Sequence, residues 1–362
     1  MRTLFLLAAF AFVICTSDTQ AQQTLDSLPV RAFAIASPSP SNVDSFIVFI
    51  NKELAPHKIN TLILRIDYNY QYKSHPELAE ASALSLAQVK KLVNACKQNN
   101  IDIIPQINLL GHQSWAGKIS MLLKVYPQFD ETPWVKIPAK YVWPNADSLY
   151  CKSYCPLHPG VHAIVFDMVD EICTAFEAKA FHAGMDEVFY IGMDKCPRCA
   201  GKDKAQLFAG EVKKIRDHLA KSGKTLWIWG DRLIDGWVTG IGGWEASYNN
   251  TAPAIDLVPK DIVICDWHYE RPDKTPAYFA IKGLKVINCS WNSPDVAALH
   301  LTDMYMYRAT ATPEMKDRYL GVMQTVWSGV TDFLNEYYKR PAPSGKRGSQ
   351  WQNFDALFAI KK

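Results

Sequence analysis

Short, continuous apolar runs alternate along this chain with longer segments in which apolar residues recur every three or four positions. The runs at 31–35, 61–66, 101–107, 180–183, 225–230, 262–266, 284–289 and 321–326 are rich in Ile, Val, Leu and Phe. Runs of that length without polar alternation predict parallel strands buried on both faces. Helices are predicted between them. Ser85 is a good N-cap, and Leu86, Val89, Val93 and Cys96 then fall on one face. Ile164, Val165, Met168, Val169, Ile172 and Phe176 mark a second helix, and a third runs from about Lys204 to Lys221 and stops at Gly223. Eight strand–helix units predict an α/β chain folded as one (β/α)8 TIM barrel over residues 25–362. A doubly wound open sheet is the alternative, weakened because no Gly-rich phosphate turn follows the first strand. The one long connection, at 111–160, holds Trp115, Trp134, Tyr141 and Trp143. An ordered loop of that length on a barrel is expected at the active-site rim. The tail after Tyr337 reads as a closing segment rather than a second domain, and there is no repeat at solenoid spacing.

Composition narrows the classes. The 362 residues, 48% hydrophobic and 21% charged, describe an ordinary globule and disfavour disorder. A formal net charge of +3, without a long Lys/Arg run, gives no reason to expect nucleic acid or an anionic membrane as partner. The first 21 residues read as an export signal: Arg2, a short apolar core from Leu4 to Ile14, and Thr19-Gln20-Ala21 at signal-peptidase spacing. That core is too short to span a bilayer. Cys15 raises a lipoprotein alternative, but Phe12-Val13-Ile14 before it lack the small residue that lipidation prefers. A soluble exported product, periplasmic or secreted, with no membrane span, is the expectation. Oligomeric state has no sequence signal.

Eight cysteines remain after Cys15. Cys96, Cys173, Cys265 and Cys289 lie in helix or strand patterns, as buried small hydrophobes do. Cys151, Cys155, Cys196 and Cys199 instead form two short-spaced pairs in polar, Pro-containing loops. Two such pairs make either a four-thiolate structural zinc site or disulfides. The spacing favours metal and an oxidising compartment favours disulfides. No cofactor is expected for catalysis.

The candidate chemistry lies at the C-terminal ends of the predicted strands, where barrel enzymes place their active sites. Those ends read Asp67-Tyr68-Asn69-Tyr70, Asn108 to His112, Asp186-Glu187, Trp229 to Arg232, Asp266 to Tyr269, Trp291-Asn292 and Trp327. Adjacent carboxylates raise one another's pKa, and a raised carboxyl pKa suits a general acid. Trp229, Trp267, Trp291 and Trp327 together suggest an aromatic box for a sugar ring, with some of the four expected to plug the barrel top instead. The acid pair also restricts the mechanism. A carboxylate nucleophile and its partner acid must stand about 5 Å apart across the scissile bond. Neighbours on one loop do not easily straddle a sugar, so Asp186 is better placed to hold the substrate while Glu187 protonates the leaving oxygen.

The string Phe181-His182-Ala183-Gly184-Met185-Asp186-Glu187-Val188 resembles the signature of family 20 glycoside hydrolases, the β-N-acetylhexosaminidases. Its continuation, Phe189-Tyr190-Ile191-Gly192, is similar to the short single-barrel branch that includes hexosaminidase D. The resemblance implies a glycan partner with a terminal β-linked N-acetylhexosamine. It also implies retaining catalysis in which the 2-acetamido oxygen is the nucleophile. Residue by residue it implies Glu187 as general acid/base, Asp186 on the acetamido group, and His182 within the signature. It further implies Arg31 on sugar hydroxyls, the Gly111-His112 pair with Asp67 as its acid, and Trp267, Trp291 and Trp327 as aromatic walls. This chain departs in having Trp327-Ser328-Gly329 where larger members carry Trp-x-Glu. It has Trp291-Asn292 where they carry a Tyr and an Asp, with Tyr269 the candidate replacement for the Tyr. The departures leave the GlcNAc-versus-GalNAc choice open. A catalytically impaired sugar-binding barrel remains the alternative, against which the presence of Glu187 counts. The chitinase string Asp-x-x-Asp-x-Asp-x-Glu is absent, and no His pair at ligand spacing supports a metal hydrolase.

Overall fold

The computed structural model describes residues 25–342 and 347–359, so the predicted export signal lies outside the described residues. Eight parallel strands close into a barrel: β1 (Val30–Ala36), β2 (Thr61–Arg65), β3 (Asp102–Leu109), β4 (Ala180–Gly184), β5 (Thr225–Trp229), β6 (Val263–Trp267), β7 (Lys285–Ser290) and β8 (Tyr319–Thr325). Each strand pairs with its sequence neighbours, and β8 closes on β1 through the register Val30 with Gly321 to Ala34 with Thr325. Every predicted strand is present. The open sheet is excluded by the β1–β8 ladder.

The α-helices of seven or more residues among the described residues are α1 (Val43–Phe49), α2 (Leu86–Gln98), α3 (Val161–Ala175), α4 (Lys204–Ala220), α5 (Thr275–Ile281), α6 (Pro294–Thr310), α7 (Val330–Lys339) and α8 (Gln350–Phe358). Ser85 caps α2 as its sequence predicts. Its Oγ accepts from the Gln88 backbone N–H, while Gln88 Oε1 accepts from the Ser85 N–H at 3.0 Å. Such a cap is worth about 1 kcal/mol. After β5 no full helix forms; the short turn Gly236–Thr239 and a 3-10 segment at Ala252–Asp256 take its place. Among the described residues, no helix is long and apolar enough to cross a membrane.

Strand pleating divides the core. In β1, Ala32 and Ala34 point into the barrel among Ile63, Met323 and Trp229. Phe33 points outward into a ring cluster with Phe49, Phe333 and Phe354 at 5.3 to 5.9 Å. Both faces are dry, so the strands read as continuous apolar runs. A fully buried ring of this kind contributes roughly 1.5 to 3 kcal/mol.

Candidate active site

The top of the barrel is built on strained backbone. Asp67, Leu110, His112, Met185 and Glu187 all have positive φ, between 45° and 68°, although none is glycine. Left-handed backbone at non-glycine residues costs on the order of 1 kcal/mol each and clusters where side chains must be aimed. Two glycines allow the close packing beneath. A Cβ on Gly184 (φ 66°) would lie 2.4 Å from Asn108 Oδ1, and one on Gly111 would lie 2.7 Å from the Asp186 carbonyl oxygen. The loop after β3 and the turn after β4 thereby come into contact, with His112 beside the two acids.

His112 Nε2 lies 3.1 Å from Asp186 Oδ2 and 3.1 Å from Glu187 Oε2. The two carboxylates therefore share one ring nitrogen, and no sugar can stand between them. Asp186 Oδ1 is buried with no hydrogen-bond partner. The Glu187 backbone N–H donates to Asp231 Oδ2 at 2.9 Å, which fixes the turn. Asp231 is itself held by Arg232 Nε at 2.6 Å and by Trp267 Nε1 at 3.3 Å. A cavity of about 610 Å³ opens in front of the acids, within the range of small-ligand sites. Trp267, Tyr269, Trp291 and Trp327 line it, together with Arg65, Asp67, Asn108, Trp115, Ser120 and Tyr150. Trp327 Nε1 donates to the Tyr269 hydroxyl at 2.8 Å, and the Arg65 guanidinium carbon sits 4.5 Å from the centroid of Trp327.

Electrostatics separates the two acids. Burial pushes the Asp186 carboxyl upward, but the charge and hydrogen bond of His112 outweigh it and hold Asp186 below the usual carboxylate range. Burial dominates at Glu187; the bond to His112 opposes it, the charges of Asp186 and Asp231 add to it, and the net effect is upward. Burial would lower His112, yet the facing carboxylates hold it well above an ordinary imidazole. One acid that stays ionised beside another that keeps its proton is the division of labour acid/base chemistry needs.

The structure brings Asp67, His112, Asp186, Glu187, Trp267, Tyr269, Trp291 and Trp327 to one cavity and corrects the placement of the other predicted residues. Arg31 stands near the start of β1, at the opposite end of the barrel, where its guanidinium donates to the carbonyls of Lys58 and Leu28, each at 2.6 Å. Arg65, the last residue of β2, occupies the cavity instead. His182 and Trp229 lie a layer below the cavity, inside the barrel, with ring centroids 4.7 Å apart, because inward-facing positions of a strand stack along the barrel axis. Trp229 is thus a Trp that plugs the barrel. Asn292 turns away into a neighbouring hollow with Glu336 and Ser349. Asp67 accepts from the Asn108 backbone N–H at 2.7 Å and Nδ2 at 3.2 Å, so His112 pairs with Asp186 and Glu187 rather than with Asp67. Cys151 is apart from the other three loop cysteines; its Sγ donates to the Glu187 carbonyl oxygen at 3.3 Å. Arg65, Ser120 and Tyr150 were not named in advance, and Asn108 was named only as part of a strand end. Arg65 and Asn108 carried a signal in their position at a strand's C-terminal end, and Ser120 and Tyr150 only that of belonging to the long 111–160 connection expected at the rim.

Three groups of side chains among the described residues converge closely enough to hold a cation: Glu131 with Cys155, Cys196 and Cys199; His112 with Asp186 and Glu187; and Glu245 with His268 and Asp273. In the second, both carboxylates face His112 Nε2, and in the third Glu245 Oε2 lies 2.8 Å from His268 Nδ1.

A closed (β/α)8 barrel whose C-terminal mouth joins two acids of opposed pKa shift to an aromatic-walled cavity has the make-up of a glycoside hydrolase. Residues 41–337 match the family model "Glycosyl hydrolase family 20, catalytic domain", and the chain belongs to that family. It is similar to a beta-hexosaminidase of Akkermansia muciniphila, 28% identical over 149 residues, covering 39% of this chain and 28% of that protein. It is also similar to hexosaminidase D of Bos taurus, 24% identical over 187 residues, covering 49% of this chain and 48% of that protein. The matched stretch thus spans less than half of each relative. Among solved structures, a chitobiase of Flavobacterium johnsoniae superposes with a TM-score of 0.65 at 19% identity, over 91% of this chain and 48% of that one. A β-N-acetylhexosaminidase of Bacteroides fragilis gives 0.62 at 18% identity, over 91% and 66%. At such identities the superpositions bear on the fold.

Proposed function

We propose that the chain is an exported, exo-acting β-N-acetylhexosaminidase that removes terminal β-linked GlcNAc or GalNAc by substrate-assisted catalysis. The observation that carries this reading is the buried, unpartnered Oδ1 of Asp186, a residue that lines the cavity and whose Oδ2 is held by His112. A buried acceptor without a donor costs about 1 to 3 kcal/mol, and an acetamido N–H from the substrate would satisfy it. Held there, the acetamido carbonyl oxygen attacks C1, the bond from C1 to the leaving oxygen breaks, and Glu187 gives its proton to that oxygen. The product is a cyclic oxazolinium ion. Glu187, now a carboxylate, takes a proton from water as that water attacks C1, and the ring reopens to the acetamide. Trp267, Trp291 and Trp327 wall the sugar, with Arg65 and Asp67 as candidates for its hydroxyls. The names of the relatives, beta-hexosaminidase and hexosaminidase D, support the sugar class. Arg2 and the apolar run after it support export.

The test is hydrolysis of matched chromogenic β-GlcNAc and β-glucoside substrates. A 2-hydroxyl cannot close the five-membered ring, so kcat and kcat/KM should both collapse for the glucoside. Comparable kcat/KM values for the two would overturn the mechanism. Cleavage of neither, with tight binding of a GlcNAc-derived thiazoline, would favour a sugar-binding protein.

A further inference from the structure

We propose that Glu131, Cys155, Cys196 and Cys199 form a structural zinc site that fastens the long β3 loop to the loop following the two acids. The four side chains come from three separate stretches, and their candidate ligand atoms all lie within 4.8 Å of one another. Cys155 Sγ is 3.7 Å from Cys196 Sγ and 3.4 Å from Cys199 Sγ. Two sulfurs bound at about 2.3 Å to one tetrahedral zinc stand roughly 3.8 Å apart, so the cluster is already near the dimensions of a coordination shell.

The second, independent observation is Glu131. Its side chain is fully buried, Oε1 accepts from the Met193 N–H at 3.1 Å, and Oε2 has no hydrogen-bond partner. Thiols packed only as small hydrophobes would not need a carboxylate among them, and burying one unpartnered is costly. A dication turns that cost into a bond. Glu131 reaches the cluster through backbone pairing. Its N–H donates to the Ser153 carbonyl at 3.0 Å, and the Cys155 N–H donates to the Phe129 carbonyl at 2.7 Å, so 129–131 runs antiparallel beside 153–155. Three soft sulfurs and one oxygen in a buried cluster suit a tetrahedral zinc ion and leave no open position for catalysis. On binding, three S–Zn bonds and one O–Zn bond form, the three thiol protons pass to solvent, and no electron is transferred.

The test uses the full chain, purified without chelator or added reductant. Elemental analysis should find about one zinc per chain. Exchange for cobalt(II) should produce thiolate-to-cobalt charge-transfer absorption together with the visible bands of a tetrahedral ion. Glu131→Gln and Cys196→Ser should each weaken zinc affinity by at least about tenfold, whereas Cys151→Ser should retain the metal. The wild-type cobalt spectrum and a count of reactive thiols before and after chelation do not depend on any variant folding. A disulfide joining Cys155 to Cys196 or Cys199 would overturn the site. So would four free side chains that take up neither zinc nor cobalt. Loss of metal in Cys151→Ser would overturn the ligand assignment.

Discussion

At the residue scale the site turns on one imidazole between two carboxylates. His112 draws Asp186 down and opposes the upward shift of Glu187, so its positive charge favours ionisation of both acids. If the competent form has Asp186 ionised and Glu187 protonated, the acid limb of kcat/KM follows Asp186 and the alkaline limb follows Glu187. His112→Gln removes the cation. Both carboxyl pKa values then rise, Asp186 ionises only at higher pH, and Glu187 holds its proton to higher pH. The whole bell is expected to move to higher pH, with a lower maximum. A pH profile whose acid limb stays in place would show that His112 does not set the Asp186 pKa. Adjacency of Asp186 and Glu187 was plain in the sequence. Their opposite shifts were not, because these depend on a histidine more than seventy positions away along the chain.

At the scale of the elements, the direction of a strand decides what an arginine can do. Arg31 and Arg65 both belong to barrel strands, but Arg31 is the second residue of β1 and Arg65 the last of β2. The first anchors the barrel's lower rim and the second reaches the cavity. Arg31→Ala is expected to lower stability by about 1.5 kcal/mol while kcat/KM stays within about twofold. Arg65→Ala is expected to keep the unfolding midpoint and to lower kcat/KM by about tenfold or more, near 1.4 kcal/mol of transition-state binding. Denaturant melts and initial-rate kinetics on the two variants check both halves. A folded Arg31→Ala protein with little turnover would reverse the assignment. Here the resemblance pointed to Arg31, although the barrel rule applied to the predicted strand would have pointed to Arg65. Residue type does not separate the two arginines; the end of the strand each occupies does.

At the scale of the whole molecule, the C-terminal helix is part of the barrel's closure and also supports the cavity wall. Phe354 packs against Phe33 at 5.9 Å and Tyr337 at 5.6 Å, joining α8 to β1 and α7. One turn earlier, Gln350 Oε1 accepts from Trp291 Nε1 at 3.1 Å, and its amide donates to Glu336 Oε2 at 2.9 Å. Phe354→Ala should cost about 3 to 5 kcal/mol, the range for removing a fully buried ring, read from the urea midpoint at constant slope. A loss under about 1 kcal/mol would mean that α8 is dispensable to the core.

Hydrophobic periodicity determined the eight strands, the three helices α2, α3 and α4 and the barrel class, because burial on two faces writes a local pattern into each strand. The acid pair and the aromatic residues at the strand ends were legible for the same reason: strand direction places them on one rim. The members of each cluster were decided only by the tertiary structure. Glu131 joined the three cysteines through antiparallel backbone pairing, and Cys151 left them for the Glu187 carbonyl. His182 and Trp229 sank below the cavity because pleating stacks inward residues in layers along the barrel axis. Such contacts arise between segments far apart in the chain, where spacing carries no information. They are fixed by strand register and by turns that hold Asp67, His112 and Glu187 at positive φ.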